Sequence, residues 1–180
     1  MGQAESLKLL AWLLYDDKRL SAAEEAVTRA IGLLPEKGQE YKTSQCNKLL
    51  GDVYRSKGER GKAIHHYEVA LEIASPFNWH DRQFWIHHSL AQLFRDENDF
   101  NDANVHIERA KSHTVGHEYL LARAMELQAQ VWDREGRLED ASSEALRAKE
   151  IYEKLGLAKD VQDCIDFLRE IEQAEEEAHL

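Results

Sequence analysis

The chain has 180 residues, of which 43% are hydrophobic, so it is long enough for one ordinary domain or a short array of repeats. Its 34 acidic and 23 basic residues give a net charge of −11, which disfavours binding to nucleic acids and to anionic membranes, because both require a basic surface. Only two prolines and nine glycines are present, which argues against a disordered or loop-rich chain.

The hydrophobic pattern predicts helices along the whole chain and no strand. In chain order, the predicted helices are 3–16, 20–34, 39–57, 60–74, 79–97, 100–112, 117–135, 138–155 and 158–177. Gly58 and Gly136 occupy equivalent breaks and suit the left-handed conformation that ends many helices, and Asn98 takes the same place in a third break. Pro35 and Pro76 are expected to stop the helices that precede them.

A pattern of small and bulky residues recurs four times, with successive copies starting 40, 40 and 38 residues apart. The copies are Ala11-Leu14-Ala23-Val27-Ala30, Gly51-Tyr54-Ala63-Tyr67-Ala70, Ala91-Phe94-Ala103-Ile107-Ala110 and Ala129-Trp132-Ala141-Ala145-Ala148. A fixed period of this length is typical of stacked helical hairpins. We expect Gly51 to lie where the two helices of the second hairpin meet, with Tyr54 filling the adjacent space.

These residues resemble the tetratricopeptide repeat (TPR), whose pattern is W-x2-L-G-x2-Y, then A-x3-F-x2-A, then P. The second copy matches best, with Leu50-Gly51-x2-Tyr54, Ala63-x3-Tyr67-x2-Ala70 and Pro76 one residue late. The period exceeds the usual length of about 34 residues, as in long-period members of the family. The resemblance implies an all-α, right-handed α-solenoid of four hairpins with a capping helix, forming a single domain over 1–180. Its repeats would span about 4–37, 38–77, 78–115 and 116–156, with the cap at 158–177.

A narrower resemblance concerns the C-terminal part of the chain. The run from Ser143 to Gly156, followed by an acidic last helix, is similar to the end of fungal NOD-like receptors. In those proteins, long-period repeats follow a nucleotide-binding NB-ARC or NACHT module. No phosphate-binding loop occurs here, so this chain would correspond to the repeat module alone.

The two ends of the array are expected to differ. The last helix would cover the fourth repeat with Val161, Ile165, Leu168 and Ile171 and turn a polar face outward, as a terminal cap does. The first helix is apolar nearly all round, through Leu7, Leu9, Leu10, Trp12, Leu13 and Leu14. We expect this N-terminal face to dock a preceding repeat, a partner or another copy of the chain.

The resemblance places one set of side chains from the first helix of each hairpin on an inner wall, where the family binds peptides. The predicted groove residues are Trp12, Tyr15, Lys48, Asp52, Arg55, Trp85, His88, Gln92, Arg95, Arg123, Glu126 and Gln130. Glu5, Lys8 and Gln45 take further positions on that wall. The resemblance therefore implies a module that binds a protein or peptide, as part of a larger scaffold or receptor. The alternative is an assembly or autoinhibitory segment that docks through its N-terminal face.

The charges and rings of this wall have two interpretations. Its cations would form a basic stripe that holds an acidic peptide; they are Lys48, Arg55, Arg95 and Arg123. Alternatively, each cation pairs with Asp52, Asp96 or Glu126 on the same wall. Three aromatic residues of this wall are candidate anchors for a ligand: Trp12, Tyr15 and Trp85. Alternatively, these side chains pack between repeats.

No residue pattern points to catalysis, a metal or another cofactor, so we expect a protein that is not an enzyme. Among the nine histidines, the adjacent pairs His65-His66 and His87-His88 split across helix faces, and surface or groove positions are the default. Cys46 and Cys164 fit no metal or redox spacing and are expected to be small buried apolar residues. No signal peptide or membrane-length apolar run is present, which favours a cytoplasmic location.

Overall fold

A computed structural model describes residues 2–34 and 37–178 of the chain, with side chains as far as Ala174. Its α-helices are α1 (Gln3–Asp16), α2 (Leu20–Gly32), α3 (Glu40–Ser56), α4 (Arg60–Ala74), α5 (His80–Asp96), α6 (Phe100–Lys111), α7 (Glu118–Arg134), α8 (Leu138–Leu155) and α9 (Ala158–Ala178). A 3-10 turn, Ser75–Phe77, follows α4, and no strand occurs in these ranges. The all-α prediction is confirmed, and every predicted helix boundary lies within two residues of the observed one.

The breaks inside the hairpins share one backbone conformation, with one residue in the left-handed region. Gly58 and Gly136 adopt the predicted left-handed conformation, with φ of 75° and 77°, and Asn98 adopts it with φ of 59°. Lys18 takes the same conformation in the first break, with φ of 60°. In each break the following N–H donates to the carbonyl of the bulky residue of its copy, which closes the helix end. These acceptors are Leu14, Tyr54, Phe94 and Trp132.

The two predicted proline stops have different outcomes. Pro76 lies near the start of the 3-10 turn that follows α4, where its lack of an N–H costs no hydrogen bond. Asn78 ends that turn in the left-handed conformation, with φ of 51°. Pro35 lies outside the described residues.

The chain packs into two compact units, one up to Ser89 and one from Leu90, with the division inside α5. The predicted single domain and its repeat boundaries therefore stay predictions. In the first unit, α1 packs on α2, α2 on α3, and α3 most extensively on α4. The contact between α3 and α4 is close because Gly51 has no side chain where the fully buried ring of Tyr67 lies. Tyr67, rather than Tyr54, fills the space beside Gly51.

In the second unit, α6 packs on α7, α7 on α8 and α8 on α9. A core cluster joins these last three helices through Ala122, Met125, Ala148, Tyr152 and Cys164. Helix α9 contributes Cys164 and Ile171 as buried residues, with Val161 partly buried against the same cluster. The helix therefore covers α8 with its apolar side.

Both cysteines are free thiols inside the apolar parts of the two units. Burial raises the pKa of Cys46 and of Cys164 to about 11. Since the thiolate is the reactive form, this keeps both side chains inert near neutral pH. In the ranges that are described, none of the helices combines the length and the apolar character that crossing a bilayer would need.

Candidate functional site

The first unit contains a cavity of about 420 Å³ between α1, α3 and α5. Its volume lies within the range of about 300–1,000 Å³ that is common for ligand pockets. The lining residues are Lys8, Leu9, Trp12, Gln45, Lys48, Leu49, Asp52, Arg82 and Trp85. The lining thus includes the apolar residues Leu9, Trp12, Leu49 and Trp85, while its charged part has three cations and a single carboxylate.

Lys8 belongs to α1 and reaches across to α3. Its Nζ donates to Oε1 of Gln45 at 2.7 Å and lies 2.7 Å from Oε1 of Glu5. The hydrogen bond from Lys8 lowers the pKa of Glu5 more than any other interaction, so the carboxyl group of Glu5 is charged at neutral pH. This arrangement fixes the ammonium group at the edge of the cavity.

Lys48 and Asp52 are one helical turn apart on α3. The Nζ atom of Lys48 lies 2.7 Å from Oδ2 of Asp52, and the hydroxyl of Tyr67 donates to Oδ1 of the same carboxylate at 2.8 Å. Burial and the charge of Asp52 raise the pKa of Tyr67, and nearby Arg55 opposes this shift. Asp52 therefore has both oxygens occupied by side chains of its own hairpin.

Arg82 enters the cavity from the first turns of α5. Its guanidinium lies over the ring of Tyr41, 5.2 Å from the centroid, and its Nε lies 3.6 Å from Oδ2 of Asp81. That Nε is buried and has no hydrogen-bond acceptor among the described residues. Tyr41 donates its hydroxyl to Asp81 at 3.0 Å, so this carboxylate already has a donor.

The two tryptophans of the cavity differ in exposure. Trp12 is 55% exposed, whereas Trp85 is half-buried. Trp85 packs edge to face on Phe84 and His88, with centroid distances of 5.0 and 5.6 Å. His88 is only 4% exposed, so it is an interior residue rather than the groove side chain that we expected.

Four predicted groove residues of the second unit form one polar network, in which Nε2 of Gln130 donates to Oε1 of Glu126 at 3.5 Å. Arg95 pairs with Asp96 at 2.8 Å and donates through Nη1 to Oε1 of Gln130. Arg123 pairs with Glu126 at 2.9 Å, and Glu126 also accepts the hydroxyl of the buried Tyr152 at 3.0 Å. The pairs Arg95–Asp96 and Arg123–Glu126, together with Lys48–Asp52, are ion pairs within the predicted wall. The alternative interpretation of the basic residues predicts such pairs.

A histidine stacked on an aromatic ring occurs at the same repeat position in each unit. His66 stacks on Tyr54, and His106 stacks on Phe94, each at a centroid distance of 5.4 Å. Burial lowers the pKa of both histidines, with a further contribution from His65 at His66 and from Arg109 at His106. The charge of Glu24 raises the pKa of His66, and the charge of Asp102 raises the pKa of His106, but both effects are smaller than that of burial.

This arrangement predicts that stability falls as the pH drops through about 6.5, the pKa of histidine in an unfolded chain. Below that pH the unfolded state binds protons that the folded state does not, whereas above it both states are neutral. We expect the urea midpoint to decrease less between pH 7.5 and pH 5.5 in a variant with His66→Gln and His106→Gln than in the wild type. The exposed His117, changed to Gln, is the control. An equal decrease in all three proteins would contradict the prediction.

No group of three or more histidine, cysteine, aspartate or glutamate side chains in the described ranges has an arrangement that could hold a metal ion. The residues of the cavity instead combine cations, an amide and aromatic surface. Such a lining suits recognition of an acidic group next to an apolar one.

Comparison with known proteins identifies the architecture. The structure of BtubC (BKLC) from P. vanneervenii matches 96% of this chain and 80% of its own length, with a TM-score of 0.69 and 19% identity. A putative kinesin light chain from Podosopora anserina, with nearly identical TPR-like repeats, matches with a TM-score of 0.55 and 15% identity. That match covers 95% of each chain. This chain has a TPR-like helical-repeat fold. No family model and no curated protein matches its sequence.

Within this TPR-like fold, the predicted groove residues fall into three groups. The cavity of the first unit brings together Trp12, Lys48, Asp52 and Trp85. Three further residues of that unit lie outside the lining: Tyr15, Arg55 and His88. The second unit holds Gln92, Arg95, Arg123, Glu126 and Gln130. Peptide binding by any of them stays a prediction.

Sequence reasoning missed three lining residues: Leu9, Leu49 and Arg82. Arg82 precedes Trp85 by three positions, so the same helical face extended by one turn would have included it. Leu9 and Leu49 carry no such signal, because a leucine on an amphipathic helix is indistinguishable from a core residue.

Proposed function

We propose that this chain is a protein-interaction module that binds an acidic peptide segment in the cavity between α1, α3 and α5. The observation that carries this proposal is the charge of the lining. Among the lining residues, the cations Lys8, Lys48 and Arg82 outnumber the one carboxylate, Asp52, in a chain whose net charge is −11. Glu5 and Asp81, which lie beside Lys8 and Arg82, are outside the lining. A local excess of cations in an acidic protein favours an anionic ligand over a neutral or a cationic one.

Arg82 is the most available of these cations. Lys48 is bound to Asp52, and Lys8 already contacts Glu5 and Gln45. The Nε of Arg82, by contrast, lacks an acceptor among the described residues. Because this Nε is buried, a carboxylate of the ligand would bind the terminal N–H groups of the guanidinium, which can engage a carboxylate through two parallel bonds.

The apolar residues of the lining supply the other half of the proposed interaction. Leu9, Leu49, Trp12 and Trp85 line the cavity beside the cations. A bulky apolar side chain of the peptide would cover Trp12 and remove it from water. Because helices support these residues, little conformational entropy would be lost on binding.

Fluorescence anisotropy with acidic, neutral and basic pools of short labelled peptides tests this proposal. We expect the acidic pool to bind most tightly and its affinity to decrease as salt is added. Lys8→Glu combined with Arg82→Glu should weaken binding about tenfold or more, since each removes an attraction and adds a repulsion. We leave Lys48 unchanged in this variant, because its removal would leave the buried Asp52 without its cation.

Lys62→Glu is the matched control. Lys62 lies on α4, its side chain is 60% exposed, and it does not line the cavity. Its reversal changes the net charge in the same direction and should alter the affinity by less than about twofold. Equal binding of all three pools, or equal losses in the control and in the cavity variant, would overturn the proposal.

Three other predictions from the sequence concern catalysis, membership of a larger receptor and cellular location. A binding module needs no catalytic group, in keeping with the absence of a catalytic motif from the sequence. Membership of a larger receptor, suggested by the fungal resemblance, receives no support from the sequence comparisons and stays a prediction. The cytoplasmic location also stays a prediction.

A further inference from the structure

Helix α1 exposes an apolar face that the fold leaves uncovered. Leu9, Leu10, Trp12 and Leu13 are 42%, 46%, 55% and 59% exposed, whereas Ala11 on the opposite side is fully buried. At 100° per residue, these four side chains occupy one continuous arc of the helix. An ordinary surface helix has polar residues on the arc that faces water.

The part of this face up to Leu13 has no net charge. Its polar side chains are Ser6, which is uncharged, and Glu5, whose carboxylate is paired with Lys8 at 2.7 Å, and the charged residues Asp16 and Asp17 follow only at the C-terminal end of the arc. The chain as a whole carries −11, so two copies repel each other over most of their surfaces. The face of α1 is a place where two copies can approach without that repulsion.

We propose that α1 pairs with α1 of a second copy in an antiparallel, two-fold symmetric dimer. The exposed positions 9, 10, 12 and 13 are symmetric about position 11, as a self-complementary interface requires. With the two-fold axis at position 11, Leu9 packs against Leu13 of the second copy. Leu10 and Trp12 each lie beside their own counterparts on the two flanks of the helix pair.

The ends of the two helices complement each other in this arrangement. Asp16 and Asp17 are exposed at the C-terminal end of α1. An antiparallel partner places its helix N-terminus, with free N–H groups and a partial positive charge, beside them. A parallel pair would instead place the aspartates of both copies together.

The size of the face indicates a weak dimer. Four side chains with about half of their surface exposed present on the order of 400 Å² of apolar area, the upper range for a monomer. A standard interface buries about 800 Å² per partner, so polar residues at the rim would supply the rest. We expect a dissociation constant on the order of 10 μM.

The same face overlaps the cavity of the first unit. Leu9 and Trp12 line the cavity and also belong to the exposed arc, whereas Leu10 and Leu13 belong only to the arc. The dimer would therefore cover two residues that the peptide needs, so that dimerisation and peptide binding exclude each other. This exclusion rests on the proposed function, but the dimer itself does not.

Sedimentation equilibrium over a range of concentrations tests the dimer. We expect the average mass of the wild type to rise from 20.8 kDa towards twice that value. Leu10→Glu and Leu13→Glu should each raise the dissociation constant about tenfold or more. Leu146→Glu on α8 is the matched control, since Leu146 is 48% exposed and lies in the other unit. Circular dichroism establishes that each variant is folded.

A wild type that stays monomeric throughout would overturn the proposal and assign the face of α1 to another occupant. A dimer that persists in both α1 variants would also overturn it, because another surface would then hold the copies together. Exclusion is tested with Leu13→Gln, which weakens the dimer without adding a negative charge beside the cavity. The acidic peptide pool should dissociate the wild-type dimer and bind the Leu13→Gln monomer more tightly than the wild type. Peptide binding that leaves the dimer intact would refute exclusion. Failure of the pool to bind the Leu13→Gln monomer would refute the proposed function and leave the dimer standing.

Discussion

Replacing Gly51 with alanine is expected to lower the free energy of unfolding by about 2 kcal/mol. A Cβ on Gly51 would lie 2.5 Å from Cε1 and 2.6 Å from Cδ1 of Tyr67. The ring of Tyr67 is fully buried and its hydroxyl donates to Asp52, so it cannot move aside without breaking that bond. Overpacking costs about 1–3 kcal/mol and a hydrogen bond to a charged group is worth about 1.5–3 kcal/mol, while alanine regains about 1 kcal/mol of helix propensity.

Gly61→Ala gives this prediction a matched control. Gly61 lies in the first turn of α4, and a Cβ there would meet no atom within 4 Å. We expect this change to stabilise the protein by up to about 1 kcal/mol, because alanine has the higher helix propensity. Urea unfolding followed by circular dichroism measures both variants. A Gly51→Ala variant as stable as Gly61→Ala would contradict the close packing of α3 on α4.

The helix boundaries could be predicted from sequence because the residues that end the helices act locally. Gly58, Gly136 and Asn98 adopt the left-handed conformation that their types favour. Lys18 gave no such signal, yet it adopts the same conformation. The reason is that N–H groups after the last turn of α1 bond to the carbonyls of Leu13, Leu14 and Tyr15. Geometry shared by all four hairpins overrides residue preference there.

Side-chain contacts between helices were less predictable, because they depend on rotamers and on packing across the hairpin. The spacing identified Gly51 as a contact point but indicated Tyr54 as the residue beside it, whereas Tyr67 lies there. Tyr54 instead stacks on His66 and donates its hydroxyl to Glu24 at 2.8 Å. The pattern contains both tyrosines, with Tyr54 one turn after Gly51 on α3 and Tyr67 on α4. It does not by itself show which of the two rings lies beside Gly51.

The candidate site also has some features that could be predicted from the sequence and others that could not. Positions on the inner wall follow from helical periodicity, and four of the predicted residues, Trp12, Lys48, Asp52 and Trp85, line one cavity, while their use in binding stays a prediction. The burial of His88 could not be inferred, because it depends on how Phe84 and Trp85 pack around it. The sequence offered two interpretations of the basic residues, and it did not decide between ion pairs within the wall and contacts with a ligand.

Glu126→Ala should separate these interpretations for the second unit, with an expected loss of about 3 kcal/mol of stability. Glu126 Oε2 accepts from Arg123 at 2.9 Å and from Tyr152 at 3.0 Å. Tyr152 is fully buried, and burial followed by the charge of Glu126 raises the pKa of its hydroxyl, which therefore stays a donor. Removal of the carboxylate leaves the buried hydroxyl of Tyr152 without its acceptor and leaves Arg123 only the more distant Asp160, at 3.9 Å, and such losses are costly.

A double-mutant cycle with Tyr152→Phe measures the coupling free energy between Glu126 and Tyr152. We expect the combined variant to lose about 1–2 kcal/mol less than the sum of the single variants, because phenylalanine has no hydroxyl to satisfy. Glu153→Ala on α8 is the control: its ion pair with Lys149 is exposed and should contribute less than about 1 kcal/mol. If Glu126→Ala were as mild as that control, Glu126 and Arg123 would be free to serve a ligand. A large loss with strong coupling would mean that both residues are committed to holding α7 against α8.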